Sequence, residues 1–234
     1  MKRIGIIFAL AEEIDALKDK VHIDRVEAIF GLEFCLGKTE KVEYILVRCG
    51  VGKVNASRCA QLLIDKYEVD SIINIGVAGG LTNNLNIGDI VVATKLVQHD
   101  FDITAFNHEK GYVPGVGVYT LVDNELYNLF LKTAADVCKE KGIIALSGVI
   151  ASGDSFITSV EKANEIRDDF DASCIEMEGA AIAQVCNLCN IPFIVLRSIS
   201  DSPNNDNKID YEKFLESSAN NISLVIKSFI DNYE

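Results

Sequence analysis

Residues 71–80 read SIINIGVAGG, a nearly uninterrupted apolar run that leads into a glycine-rich segment. Such a short run, bounded by turn residues, is typical of a strand buried on both faces. Similar runs alternate with helical periodicity along the whole chain, which predicts an α/β fold. The predicted strands cover residues 4–8, 28–36, 43–48, 71–75, 89–97, 143–151, 173–176 and 191–200. The predicted helices begin near residues 12, 53, 121, 159, 179 and 211.

The composition excludes several classes of protein. Hydrophobic residues make up 49% of the chain and charged residues 24%, which argues against disorder and low-complexity arrays. The formal net charge is −13, and since no basic cluster offsets it, no nucleic-acid partner is expected. No apolar run approaches the ~18 residues of a membrane span, so no membrane partner is expected either. Without an internal repeat or a linker, residues 1–234 are expected to form a single domain.

The N-terminus and the cysteines bear on location. Residues 1–11 loosely resemble a secretion signal, but Glu12 and Glu13 follow at once, which favours a buried first strand. The seven cysteines are odd in number and scattered through apolar segments, which indicates reduced thiols and a cytoplasmic protein. The Cys186–Cys189 CxxC motif ends a predicted helix and is interpreted as core packing. No metal and no cofactor are expected.

Charged residues follow the apolar strand at residues 191–200. The two-residue period of a strand places Arg197 and Asp201 on one face. Charge at the exit of a buried strand costs several kcal/mol unless it is paired or used, and ligands of open α/β sheets bind at strand ends. The pair is therefore either a structural ion pair or part of a site.

Two strand-to-helix junctions also carry carboxylates. Glu176 and Glu178 flank Met177 directly before a helix of small residues, and Glu13 follows the first strand. A carboxylate at a helix start is stabilised by the helix dipole and can accept hydrogen bonds from a ligand. Solvated helix-start carboxylates are the alternative at both places. The long irregular stretch at residues 98–118 is a candidate lid or interface.

Six motifs, in order and spacing, resemble the nucleoside phosphorylase superfamily, and within it most closely the bacterial 5′-methylthioadenosine/S-adenosylhomocysteine nucleosidases. They are GII at 5–7 with EE at 12–13, GVGKVNA at 50–56, GVAGGL at 76–81 with GD at 88–89, ASGDSFI at 151–157, EMEGA at 176–180 and RSISD at 197–201. The resemblance implies a three-layer sandwich with a central mixed, partly barrel-like sheet flanked by helices. It also implies an enzyme of methionine salvage in which water cleaves the N-glycosidic bond of an adenine nucleoside.

By position-for-position match, the resemblance assigns catalytic roles to four residues. Asp201 would protonate adenine N7, with Ser200 beside it. Glu13 would hold the attacking water, with Arg197 helping to orient it. An acid on the leaving group and a base on the water suit a reaction that passes through an oxocarbenium-like sugar.

The same match assigns substrate-binding roles. Glu178 would accept the ribose hydroxyls, with Met177 beneath the sugar and Glu176 nearby. Phe156 would stack on adenine, and the backbone of Ile157 would read its edge. The remaining residues expected to bind substrate are Val77 and Ala78 after the central strand, and Leu10, Val51, Ile103 and Tyr211 around an apolar thioether pocket.

The resemblance further implies a homodimer. Phe106 and Pro114 lie in the irregular stretch, which in the family reaches from the second subunit to cover the 5′ substituent. Both residues would therefore act in the neighbour's site.

Three alternatives stay open. Phosphorolysis is disfavoured because Asn74 stands where the phosphorylases carry an arginine, and because phosphate beside Glu13 would be repelled. Val77 stands where many relatives have serine, and Phe8 where they have glycine. Some relatives with this valine also cleave 6-amino-6-deoxyfutalosine in menaquinone synthesis. A non-catalytic nucleoside-binding protein on the same fold is the third alternative.

Overall fold

The computed structural model describes residues 1–202 and 207–233, within which ten strands form one mixed sheet. The strands are β1 (Lys2–Phe8), β2 (Arg25–Ile29), β3 (Leu32–Lys38), β4 (Val42–Arg48), β5 (Ser71–Gly80), β6 (Ile90–Gln98), β7 (Thr120–Leu121), β8 (Ala145–Ser152), β9 (Ala172–Glu176) and β10 (Phe193–Asp201). The helices are α1 (Ala11–Lys18), α2 (Lys53–Tyr67), α3 (Asn124–Lys141), α4 (Val160–Phe170), α5 (Gly179–Leu188) and α6 (Asn207–Asp231). The predicted α/β class is confirmed.

Five strands close the sheet on itself. The order β10-β6-β8-β9-β5 returns to β10, which pairs antiparallel with β6 and parallel with β5. Beyond β5 the sheet continues through β1 and β4 to β3 and β2 at its open edge. Helices α2, α3, α5 and α6 pack against these strands. The predicted mixed, partly barrel-like sheet flanked by helices is therefore confirmed.

The strands at the centre of the sheet are mostly apolar because both of their faces are covered. All residues of β10 are buried, and so are all residues of β5 except Val77. The polar members of these strands, Asn74, Arg197 and Asp201, are buried with them. Buried charge of this kind must be hydrogen-bonded or paired to be tolerated.

The predicted strand at residues 28–36 is wrong, because it is a hairpin of β2 and β3. Ile29 pairs with Leu32, and the two residues between them, Phe30 and Gly31, have φ of 49° and 79°. Two left-handed residues make the tight turn whose twist matches a hairpin. The prediction missed this turn because phenylalanine replaces the usual asparagine or aspartate. Gly37 and Lys38 follow the predicted strand at residues 28–36, where the sequence predicts a turn, but they lie inside β3.

Three smaller expectations also needed correction. Helix α3 begins at Asn124 and not at residue 121, because Thr120 and Leu121 pair with β6 and the Asp123 side chain caps the helix. The hydrophobic side chain of Val54 predicts a place on the apolar face of α2, but it is 80% exposed. In the CxxC motif only Cys186 is buried. Among the described residues no helix is both long enough and apolar enough to cross a membrane.

Candidate active site

One cavity of about 100 Å³ gathers side chains from distant parts of the chain. Its walls come from the segment after β1, the ends of β5, β9 and β10, and the start of α6. The lining residues are Ala9, Leu10, Glu13, Val51, Val77, Ala78, Gly79, Phe156, Ile175, Glu176, Met177, Glu178, Ser200, Asp201 and Tyr211. Twelve of the predicted site residues are thus brought together here.

Glu13 is held in the first turn of α1 by three backbone amides. Its Oε2 accepts hydrogen bonds from the N–H groups of Ala9 and Leu10, both at 2.9 Å, and its Oε1 accepts from Val77 at 3.0 Å. Burial raises the pKa of Glu13 above its ordinary value, although these amides and the Arg197 charge oppose the shift. The result is a fixed, buried carboxylate that binds a proton more readily than an exposed glutamate does.

Asp201 reaches the same cavity from the end of β10. Pairing with β5 shifts register between Ile199 and Asp201, so that Asp201 lies opposite Gly79. Bulges of this kind often redirect a side chain next to an active site. Ser200 Oγ lies 2.8 Å from Asp201 Oδ1 and donates a hydrogen bond to it.

Two glycines of β5 make room for these acids. A β-carbon on Gly76 would lie 2.6 Å from Glu13 Oε1, and one on Gly79 would lie 3.2 Å from Asp201 Oδ2. In the sequence alone, the glycine-rich end of this strand resembles a phosphate-binding turn, although it does not match the GxGxxG pattern. Its structural role is to let two carboxylates approach the strand closely.

Arg197 is fully buried behind the cavity and pairs with Glu176. Its Nη2 donates hydrogen bonds to Glu176 Oε2 and, at 2.6 Å, to Asn74 Oδ1. The structural ion pair considered from the sequence thus involves Arg197 with Glu176 as its partner. Ser152 Oγ also donates to Glu176 and accepts from the N–H of Ala180 at 2.7 Å. Asn74 and Ser152 were not predicted to have these roles, because their partners are remote in sequence.

Glu178 lies at the start of α5, between this pair and the cavity. Its Oε1 accepts the backbone N–H of Gly52 at 2.8 Å, while the Glu178 N–H donates to Glu176 Oε2. Burial, together with the neighbouring Glu176 carboxylate, raises the pKa of Glu178 to about 7. The charge of Glu178 therefore changes near neutral pH.

The electrostatics of the cavity favour positive charge. Four buried carboxyl groups, those of Glu13, Glu176, Glu178 and Asp201, lie around it, and the buried Arg197 guanidinium interacts with the first three. A cation that develops inside such a cavity is stabilised, whereas an anion is repelled.

The other side of the cavity is apolar and aromatic. Phe156 and Tyr211 pack edge to face with ring centroids 5.5 Å apart, and Phe156 remains 46% exposed. Leu10 and Val51 line the same cavity. A planar heterocycle and a short apolar substituent are the kinds of group that such walls bind.

Comparisons with known proteins agree with this arrangement. The family model described as the phosphorylase superfamily matches residues 3–231. The chain belongs to the phosphorylase superfamily. It is 39% identical to a 5′-methylthioadenosine/S-adenosylhomocysteine nucleosidase of Bacillus subtilis over 227 residues. This aligned region covers 96% of this chain and 97% of the relative. The predicted family is confirmed, and with it the prediction that the chain is an enzyme.

Two solved structures of Helicobacter pylori proteins are close to this superfamily member. The 5′-methylthioadenosine/S-adenosylhomocysteine nucleosidase in complex with butyl-thio-DADMe-Immucillin-A is 35% identical, with a TM-score of 0.91 over 99% of this chain and 98% of that one. The native futalosine hydrolase is also 35% identical, with a TM-score of 0.91 over 98% of this chain and 97% of that one.

Some residues predicted from the superfamily lie away from the cavity. Phe106 is 75% exposed and Pro114 is exposed, both in the segment between β6 and β7. Ile103 precedes the short 3-10 turn of that segment and does not line the cavity of this chain. Ile157 packs beside the cavity, against a second hydrophobic cluster. Within the described residues, no group of three or more His, Cys, Asp or Glu side chains is placed to hold a metal.

Proposed function

We propose that this protein hydrolyses the N-glycosidic bond of 5′-methylthioadenosine and S-adenosylhomocysteine, and also of 5′-deoxyadenosine, releasing adenine and the 5-substituted ribose. The observation that carries the proposal is that Glu13 and Asp201, remote in sequence, line one cavity with Glu178. The names of the related nucleosidases support the choice of substrates.

In the proposed mechanism the two acids act on opposite partners of the bond. Asp201 donates its proton to adenine N7, with Ser200 Oγ holding Oδ1. Glu13 accepts a proton from the attacking water as the C–O bond forms at the anomeric carbon. The three amides that hold Glu13 keep its carboxylate fixed, and its raised pKa makes it a stronger base than an ordinary glutamate.

The sugar becomes positively charged as the bond to adenine breaks. Glu178 accepts hydrogen bonds from the ribose hydroxyls. Its negative charge, with that of Glu13, stabilises the oxocarbenium-like sugar. Phe156 stacks on adenine while Met177 packs beneath the ribose. Leu10, Val51 and Tyr211 surround the 5′ substituent, where burial of a methylthio group is worth roughly 1 kcal/mol or more.

The proposal includes hydrolysis in preference to phosphorolysis. A phosphate dianion would lie among the carboxylates of Glu13 and Glu178, and the repulsion raises its energy. Asn74, at the position of a phosphorylase arginine, is uncharged and cannot neutralise a phosphate. Its side chain accepts a hydrogen bond from Arg197 and donates one to the carbonyl of Ile7.

Adenine release from 5′-methylthioadenosine, with and without phosphate, tests the function. We expect the full rate in phosphate-free buffer, with free 5-methylthioribose as the second product. Glu13→Gln and Asp201→Asn should each abolish turnover, whereas Glu12→Gln, the same change at the exposed neighbouring residue, should not. A requirement for phosphate would establish a phosphorylase, and binding of the nucleoside without release of adenine would establish a binding protein.

A second candidate substrate is 6-amino-6-deoxyfutalosine. The similarity of this chain to the Helicobacter pylori futalosine hydrolase supports this candidate. Val77 at the cavity wall is the position at which cleavage of this compound and of 5′-methylthioadenosine is expected to be distinguished. Specificity constants for this compound and for 5′-methylthioadenosine, measured on one preparation, decide between them.

We also propose that the protein is a cytoplasmic homodimer in which Phe106 and Pro114 cover the neighbour's site. The exposure of both residues in this chain supports the proposal, and so do seven cysteines that are all free thiols. Sedimentation at working concentration should give a dimer, and a stable monomer with full activity would contradict it.

A further inference from the structure

Three residues outside the cavity form a closed ring of hydrogen bonds, here named the Lys53 ring. Lys53 Nζ donates to Asp100 Oδ1 at 2.6 Å, and the backbone N–H of Asp154 donates to Asp100 Oδ2 at 2.9 Å. The backbone N–H of Lys53 closes the ring by donating to Asp154 Oδ1 at 2.8 Å. None of these residues lines the cavity.

The ring connects three segments that are distant in sequence. Lys53 is the first residue of α2, Asp100 follows β6, and Asp154 follows β8. The Lys53 side chain is only 17% exposed, and Gln98 Oε1 gives its ammonium a second acceptor at 3.1 Å. A lysine held in this way has lost most of its rotamer freedom. The ring therefore holds the start of α2 in place relative to the ends of two strands.

The start of α2 is also the point that contacts Glu178. Gly52, directly before Lys53, donates its N–H to Glu178 Oε1 at 2.8 Å and has φ of 96°. A glycine in this region has many other conformations available to it, so its N–H direction must be held from outside. A β-carbon on Gly52 would lie 3.0 Å from Asp154 Oδ1, so the ring packs directly against this residue.

We propose that the Lys53 ring is a positioning device for Glu178. It holds the Gly52 N–H against Glu178 Oε1 and so directs the other oxygen of the carboxylate to the ribose hydroxyls; in this it rests on the proposed function. When the ring is broken, the first turn of α2 shifts and the N–H of Gly52 moves away. Glu178 then lacks a fixed orientation, and binding of the ribose weakens.

The test compares two nucleosides, 5′-methylthioadenosine and its analogue without the ribose 2′- and 3′-hydroxyls. Lys53→Met should lower kcat/KM for the first about tenfold, mainly through KM, as expected for loss of one hydrogen bond to a charged group. For the analogue the change should be within about twofold, because Glu178 has no hydroxyl to bind. Lys227→Met, at a lysine that pairs with Asp231 on its own helix, is the matched control and should change kcat/KM for neither nucleoside.

A second pair of variants separates positioning from folding. Asp154→Asn keeps an oxygen acceptor for the Lys53 N–H and should behave like wild type, whereas Asp154→Ala should behave like Lys53→Met. An equal loss on both nucleosides, with the wild type fully active, would overturn the inference alone. Wild-type protein that releases adenine from neither nucleoside would overturn the proposed function, and this inference with it.

Discussion

Gly76→Ala should strongly reduce catalytic activity while the protein still folds. Gly76 lies in β5 opposite Arg197, and its φ is not in the left-handed region, so the backbone accepts alanine. The new β-carbon would lie 2.6 Å from Glu13 Oε1 and 3.2 Å from Cδ, whereas ordinary contact begins at 3.4 Å. The carboxylate must therefore move by about 0.8 Å, which breaks or lengthens its bond to the Val77 N–H.

Both the rate and the stability should respond. A misplacement near 1 Å in a reacting group costs about 100-fold in rate, or ~2.7 kcal/mol of activation free energy. Overpacking a buried site costs about 1–3 kcal/mol of unfolding free energy. We therefore expect kcat/KM for 5′-methylthioadenosine to fall about 100-fold, in a protein that still unfolds cooperatively in urea.

The matched control is Gly80→Ala in the same strand. Its β-carbon would meet Ile199 Cγ2 at 3.2 Å and not Glu13, so stability should fall while most of the activity remains. The decisive measurement is a double-mutant cycle with Glu13→Ala, which removes the clashing atoms. The two stability losses should then be strongly non-additive. Wild-type activity in Gly76→Ala, or additive losses in the cycle, would refute the reasoning.

Three further variants test other contacts of the site. Ionisation of Glu178 is harder in the folded than in the unfolded chain, because its pKa is raised on folding. Between about pH 4.5 and 7, the unfolding free energy of wild type should therefore fall by about 1–3 kcal/mol relative to that of Glu178→Gln as pH rises. Urea titrations of both proteins at each pH measure this difference, and a difference that does not change with pH would contradict the prediction. Asn74→Ala should lower the free energy of unfolding by about 1–3 kcal/mol, because the buried Arg197 guanidinium loses an acceptor, and wild-type stability would show that Arg197 finds another. Phe156→Ala should raise KM about tenfold with little change in kcat, since stacking on adenine is lost. Phe156→Tyr should keep the wild-type KM, because the aromatic ring remains. Equal KM values for the two variants would argue against stacking.

Much of the fold was predictable because its central strands are covered on both faces. Such strands appear as continuous apolar runs, and β1, β5 and β10 were found this way. Closure of the sheet was not derivable from local pattern, because it depends on β10 inserting between β5 and β6, which come from the middle of the chain. The resemblance supplied that feature. Local pattern also failed at Phe30, whose left-handed conformation is dictated by the β2–β3 hairpin and not by its own preference.

The candidate site was predictable where charge conflicts with an apolar surrounding. Arg197 and Asp201 at the end of a buried strand could be selected from the sequence alone, because burial there has to be compensated. The partner of Arg197 was not predictable, because Glu176 belongs to another strand, β9, that is remote in sequence. In the local sequence, Glu176 has the same features as any carboxylate that precedes a helix.

Glycine positions show why the remaining part of such a site escapes sequence reasoning. Gly76 and Gly79 have no functional group, and their strand conformation does not require glycine. Their importance lies in the β-carbons that they lack, which would occupy the space of Glu13 and Asp201. That space is defined by α1 and β10 together, and neither is near β5 in sequence. A glycine at the end of a central strand should therefore be examined for the acid that approaches it, and not only for a phosphate that it could bind.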